Sequence, residues 1–269
     1  MTAIPSLFIA TTLLYALSAV LYLLRLARGM TGLERTTNVV LGLGVIAHAA
    51  FIASETLTTH RDPFDDIHGT LSVLSLGIAI AFLLATLRYR IAVLGAFVTP
   101  ITLIFLLASG LAHEVAPVPS ALRRAMLPVH VGVIVLGLVA FAIAFGSSTA
   151  YMLQERKLRR KELGGVFRRL PPLDVLDTVS YRALTIGFPL FTVGVVVGVL
   201  WIARAADGSV GYGDAQIIGL VTWVVFASVI ALRVLAGWRG RRAAVGTMFG
   251  FLCAVIVLAI YVFSPEAGS

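Results

Sequence analysis

The chain has 269 residues, 59% hydrophobic and 13% charged, with a formal net charge of +8. A water-soluble domain of this length would lack the polar surface to cover itself, so the composition excludes an ordinary soluble enzyme and predicts an integral membrane protein. Cys253 is the single cysteine, which excludes disulfides within the chain and thiolate metal clusters.

Eight apolar runs follow one another, approximately 6–24, 39–57, 69–87, 91–111, 127–151, 183–203, 216–236 and 243–263. Each has the roughly 20 residues that a helix needs to cross a hydrocarbon core of about 30 Å. The expectation is an all-α polytopic bundle of eight transmembrane helices, forming a single integral membrane domain over residues 1–269. In the first run Arg25 and Arg28 follow the apolar stretch and no small-residue cleavage pattern is present, so it reads as a mature span. Pro100 and Pro189 fall inside spans four and six, where each removes a backbone donor and invites a kink. Pro128 stands in the first turn of span five, a position that tolerates proline.

The longest connection is "QERKLRRKELGGVFRRLPPLDVLDTVSYR", residues 154–182. Its opening reads as a helical extension of span five, Gly164-Gly165 and Pro171-Pro172 punctuate it, and Asp174 and Asp177 follow at i,i+3. A segment of this kind lies on anionic lipid or docks a partner.

Of the 21 Lys and Arg, all but Arg61, Arg123, Arg124 and Arg204 belong to the connections after spans one, three, five and seven or to their flanks. The positive-inside rule assigns those connections to the cytoplasm and puts both termini outside it. Topology thus accounts for the net charge, and nucleic-acid binding is not implied.

Four of the five histidines then fall on the outer side. His60 and His68 bracket "THRDPFDDIHG", His113 follows span four, and His130 opens span five in "MLPVHVG". His48 lies near the middle of span two, where a polar ring must find a partner. Glu55, two helical turns on, shares its face and predicts a polar cavity there. Clustered imidazoles suit a transition metal, a heme iron or a proton path. Asp62, Asp65 and Asp66 would accompany a bare divalent ion, whereas heme would use two axial nitrogens, an apolar slot, and Arg61, Arg123 and Arg124 near its propionates. Spacing leaves these alternatives open. There is no C-x-x-C-H, so heme linked through two thioethers is excluded.

The ordered series "SYR…GFP…G…G…W" and "TW…LR…GWRGRR", preceded by "LPVHVGVIVLGLVAFAIAFGSSTAYMLQERKLR", resembles the cytochrome c assembly proteins, which handle heme in bacterial and plastid membranes. Their CcsA branch and HemX-like relatives share it. The resemblance is strongest over residues 127–251 and extends through "GLGVIAHAAFIASETLTTHRDPF" to most of the chain. It implies heme b held non-covalently in a bacterial inner membrane, with His130 as the external iron ligand and His48 as a second, membrane-embedded one. His60 stands near a loop histidine of the family, and His68 and His113 are further candidates for the second axial position.

The chain also departs from the family. Where relatives carry a tryptophan-rich "WGxxWxWD" loop for holding heme, this sequence has "WIARAADGSVGYGDAQ", which keeps Trp201 at the start and Tyr212 and Asp214 near the end. Ala231 replaces a membrane histidine of CcsA-type proteins, and "VFSPEAGS" lacks a second external histidine. These departures point to the HemX-like branch. That branch implies a partner in heme synthesis, glutamyl-tRNA reductase, or another cytochrome assembly subunit. The rival readings are a regulatory scaffold that presents its basic connections, and a heme or small-molecule transporter lined by Pro100, Pro189 and the His48–Glu55 face. A covalent enzyme ranks last, since no nucleophile-and-base constellation or phosphate-binding loop appears.

Overall fold

Without water, every backbone amide must be satisfied within its own segment, and the apolar runs do so as helices. The computed structural model describes residues 3–60, 62–64, 66–88, 92–112, 121–204 and 214–263. They form α1 (Ala3–Arg28), α2 (Glu34–Thr59), α3 (Ile67–Arg88), α4 (Gly95–Leu111), α5 (Ala121–Arg159), the single turn α6 (Val166–Arg169), α7 (Leu173–Arg204), α8 (Asp214–Leu235) and α9 (Arg241–Phe263). No strand occurs among the described residues.

Seven of these helices are long and apolar enough to cross a membrane. The expected fourth span is shorter. Its helix, α4, has 17 residues, about 26 Å at 1.5 Å per residue, and the 3-10 turn Ala92–Leu94 precedes it. The eight spans read from the sequence are therefore seven long helices and this short one.

Helix boundaries differ from the apolar runs where strong helix formers flank them. "ALRRAML" carries α5 upstream to Ala121, so Pro128 lies inside the helix and not in its first turn. Without an N–H, Pro128 cannot bond the carbonyl of residue 124. At its other end α5 continues to Arg159, as the sequence predicts, and α7 starts directly after Pro171-Pro172.

The helices pack as two closed rings of four. In the first ring α1 meets α2, α2 meets α3, α3 meets α4, and α4 returns to α1. In the second, α5 meets α7, α7 meets α8, α8 meets α9, and α9 returns to α5. The rings join where α5 lies against α3 and α4. Tyr15, Tyr22, Leu71 and Phe82 fill the first ring. Phe141 and Phe226 stack at 3.8 Å inside the second, with Phe191 beside them. Ile46, Ile186 and Leu13 are 63 to 67% exposed and face outward, as lipid-facing residues do.

Hydrophobic burial does not draw helices together in lipid, so small residues that allow close approach carry the association. The α5–α7 pair runs antiparallel in a regular register. Ile134 lies opposite Gly194, Gly137 opposite Phe191, and Ser148 bonds Ser180 at 3.0 Å. A Cβ on Gly187 would stand 2.8 Å from the Ala140 Cβ and 3.0 Å from the Gly137 carbonyl oxygen. Neither neighbour can rotate away. Gly187→Leu should therefore push the helices apart and cost about 1–3 kcal/mol, read as a lower thermal midpoint in detergent. Gly164→Leu, with open space around that position, should leave the midpoint unchanged.

At the opposite end from the histidines, polar contacts tie the connections down. Arg169 donates to the Leu26 carbonyl at 2.7 Å, which fastens the α6 turn to the end of α1. On the second ring Arg233 of α8 pairs with Asp177 of α7 at 2.8 Å and lies over the Tyr181 ring at 4.8 Å. The Gly240 N–H donates to the same carboxylate at 3.3 Å.

Candidate functional site

Two groups of histidines occupy one end of the molecule. The α2–α3 loop reaches α5 between them, with Phe64 3.9 Å from where a Cβ on Gly132 would be.

His48 is fully buried in the first ring. Its Nδ1 meets the Tyr15 hydroxyl at 3.2 Å and its Nε2 meets the Ser72 hydroxyl at 3.0 Å, so both ring nitrogens are engaged within the core. Gly44 makes room for this arrangement, because a Cβ there would stand 2.7 Å from the Tyr15 ring.

Glu55 does share the α3-facing side of α2 with His48, as the helical period predicts. Its partner, however, is His68. The His68 Nε2 lies 3.1 Å from the Glu55 carboxylate, and its Nδ1 donates to the Ser109 carbonyl of α4 at 2.8 Å. Both nitrogens face acceptors, so neither offers a lone pair to a metal. Phe51 stands between the two histidines, 6.2 Å from one ring centroid and 6.3 Å from the other.

His60 ends α2 in a left-handed conformation, φ 55°, with its N–H on the Thr56 carbonyl, and its side chain is exposed. The nearby acidic groups serve the backbone. Asp62 Oδ1 accepts from the Phe64 N–H at 2.9 Å, and Asp66 Oδ1 accepts from the Gly69 N–H at 2.7 Å at the start of α3. Among the described residues no three His, Cys, Asp or Glu side chains gather as they would around a metal ion.

His130 is half-buried on α5 and leans on α7. Its Nδ1 donates to the Gly194 carbonyl at 2.8 Å. A carbonyl only accepts, so this bond puts the proton on Nδ1, and in the neutral ring Nε2 is the lone-pair nitrogen. Gly198 supplies the seat, since a Cβ there would be 2.7 Å from the His130 Cε1. A carbonyl that orients one ring nitrogen while the other carries the lone pair is the usual support of a histidine ligand. The His130 ring is thus oriented by a main-chain carbonyl, whereas His48 and His68 each hold two partners of the first ring and its loop.

The other residues singled out from the sequence are only partly described. Arg61 and His113 lie outside the described residues. Arg123 and Arg124 fall in α5, Trp201 in α7, and Asp214 opens α8, but their side chains are also outside what is described. Sequence reasoning missed Tyr15, Ser72 and the Gly194–Gly198 seat. Glycines at 187, 194 and 198 recur at helical spacing, a legible sign of close helix packing.

The fold and site define an all-helical, multi-pass membrane protein with histidines concentrated at one end of two joined four-helix rings. The chain belongs to the cytochrome c assembly protein family, whose model matches residues 6–264. It is 27% identical over 273 residues to the cytochrome c biogenesis protein CcsA of Synechococcus sp. (strain CC9311), covering 89% of this chain and 90% of that protein. It is likewise 27% identical to CcsA of Microcystis aeruginosa, over 76% of this chain and 77% of that one. A solved structure, the cytochrome c heme lyase CcmF, shares the fold with a TM-score of 0.68 at 15% identity. That likeness covers all of this chain but 52% of the lyase, so the chain spans about half the lyase's length.

Proposed function

We propose that this protein binds heme b non-covalently as its cargo at the histidine end, with His130 as an iron ligand. It would lie in a bacterial cytoplasmic membrane with both termini and the histidine end outside the cytoplasm. The bond from His130 Nδ1 to the Gly194 carbonyl is the observation that carries this reading, because it presets the ring for coordination. Heme bound there would supply an iron with two axial positions suited to imidazole. The second axial ligand would come from exposed His60 or from His113. Arg61, Arg123 and Arg124 would answer the propionates, and Trp201 and Asp214 would flank the macrocycle. His48 and His68 would hold the first ring together beneath the site. The missing tryptophans and membrane histidine favour a HemX-like role in holding or passing heme over that of a complete delivery synthetase.

The visible spectrum tests the proposal. Detergent-purified protein titrated with hemin should develop a saturable Soret band with the low-spin form of bis-imidazole ligation. If no band forms, the reading fails and the scaffold reading takes its place. One observation favours that second reading: a cleft of about 600 Å³ opens beside the basic connection, lined by Leu158, Phe167, Leu170 and Gln154. The Gln154 Oε1 is buried there without a hydrogen-bond partner. Under this reading the occupant would be a cytoplasmic heme-synthesis enzyme, such as glutamyl-tRNA reductase, or another assembly subunit.

A further inference from the structure

The α8–α9 turn, at the opposite end from the histidines, carries a second site. A cleft of about 450 Å³ opens there, lined by Trp238, Arg239, Arg241 and Arg242, with Arg159 approaching from α5. No acidic residue lines it. Arg159 is already taken, since two of its guanidinium nitrogens bond Glu155 Oε1 at 3.0 and 2.8 Å. Arg239, Arg241 and Arg242 are exposed and have no ion-pair partner among the described residues. Their charges converge unneutralised on one concavity. The start of α9, at Arg241, adds the positive end of its dipole.

The turn is held in place. Ala236 and Trp238 both donate to the Leu232 carbonyl at 3.1 Å and close the end of α8. Gly240 adopts φ +65°, bonds Asp177, and sits where a Cβ would be 2.6 Å from the Tyr151 hydroxyl. Beneath the arginines the surface turns apolar at once, with Leu235 85% exposed, Val234 61% and Val245 49%. Cations above and lipid-facing aliphatics directly below match an anionic phospholipid, whose phosphodiester and acyl chain sit at those two depths.

We propose that this cleft binds the phosphodiester headgroup of an anionic phospholipid through Arg239, Arg241 and Arg242. The guanidinium forks pair with phosphate oxygens, and the acyl chain runs along Val234, Leu235 and Val245. The site is separate from the heme proposal and survives its failure.

The test uses full-length protein in detergent, with phosphatidylglycerol and phosphatidylcholine as probes and retention read by native mass spectrometry. Wild type should retain phosphatidylglycerol about tenfold better than phosphatidylcholine, and R239Q/R241Q/R242Q should erase that preference with the thermal midpoint unchanged. R28Q/R35Q/R168Q, which removes as many exposed charges from the α1–α2 connection and the α6 turn, away from the cleft, should keep it. If the triple glutamine variant does not fold, R239K/R241K/R242K decides. Losing the fork at constant charge should weaken retention severalfold. The proposal is overturned if the lysine variant matches wild type, if the distant neutralisation weakens retention equally, or if inorganic phosphate displaces the lipid and binds as well by itself.

Discussion

His130→Ala should abolish heme binding while leaving the protein folded. Hemin titration of the purified variant should lose the Soret band at least about tenfold relative to wild type, with little change in thermal midpoint. The fold survives because the ring is half-buried and its bond to Gly194 goes to a carbonyl inside α7 that keeps its helical donor. The net cost of losing such a bond is about 1 kcal/mol. His130→Gln sharpens the test, since its amide can still donate to Gly194 but is a poor axial ligand; it should lose heme as alanine does. His48→Ala should behave in the opposite way. Its loss leaves the buried Tyr15 and Ser72 hydroxyls without their partner, at about 1–3 kcal/mol each, so the midpoint should fall while heme binding persists. An unchanged Soret band in His130→Ala would rule out ligation by that residue.

Asp177→Ala should lower stability by about 3–5 kcal/mol. The Arg233 side chain is only 5% exposed, and its Nη1 is buried without a hydrogen-bond partner even when Asp177 is present. Removing the carboxylate strands that charge and also takes away the acceptor of the Gly240 N–H, so the α8–α9 turn should loosen with it. Arg233→Ala should cost less, because Asp177 is 18% exposed and reaches water more readily. Asp177→Leu combined with Arg233→Met should recover much of the loss, since an apolar pair carries no desolvation penalty. Thermal unfolding of the three variants in one detergent measures this. An Asp177→Ala midpoint equal to wild type would show that the pair contributes nothing.

The sequence alone determined that the chain crosses a membrane as helices and approximately where each run lies, and it put His60, His68 and His130 at the end away from the basic connections. These features are local. Apolar length decides a span, and the side on which each connection falls follows from counting spans. The sequence also put His48 and Glu55 on one helical face, correctly, because the 3.6-residue period belongs to the helix itself. It did not say what would pack there. His48 takes Tyr15 and Ser72, Glu55 takes His68, and His130 takes a carbonyl 64 residues away. Such pairings depend on which helices become neighbours, and the two-ring arrangement decides that. The same holds for Asp177 and Arg233, which the sequence offers separately as one of an acidic pair and as a basic flank of span seven, and which meet only because α7 and α8 pack together. Pro128 shows the remaining gap. Its place inside α5 follows from helix formers outside the apolar run, so hydropathy marked the membrane segment and left the helix's true start to the backbone.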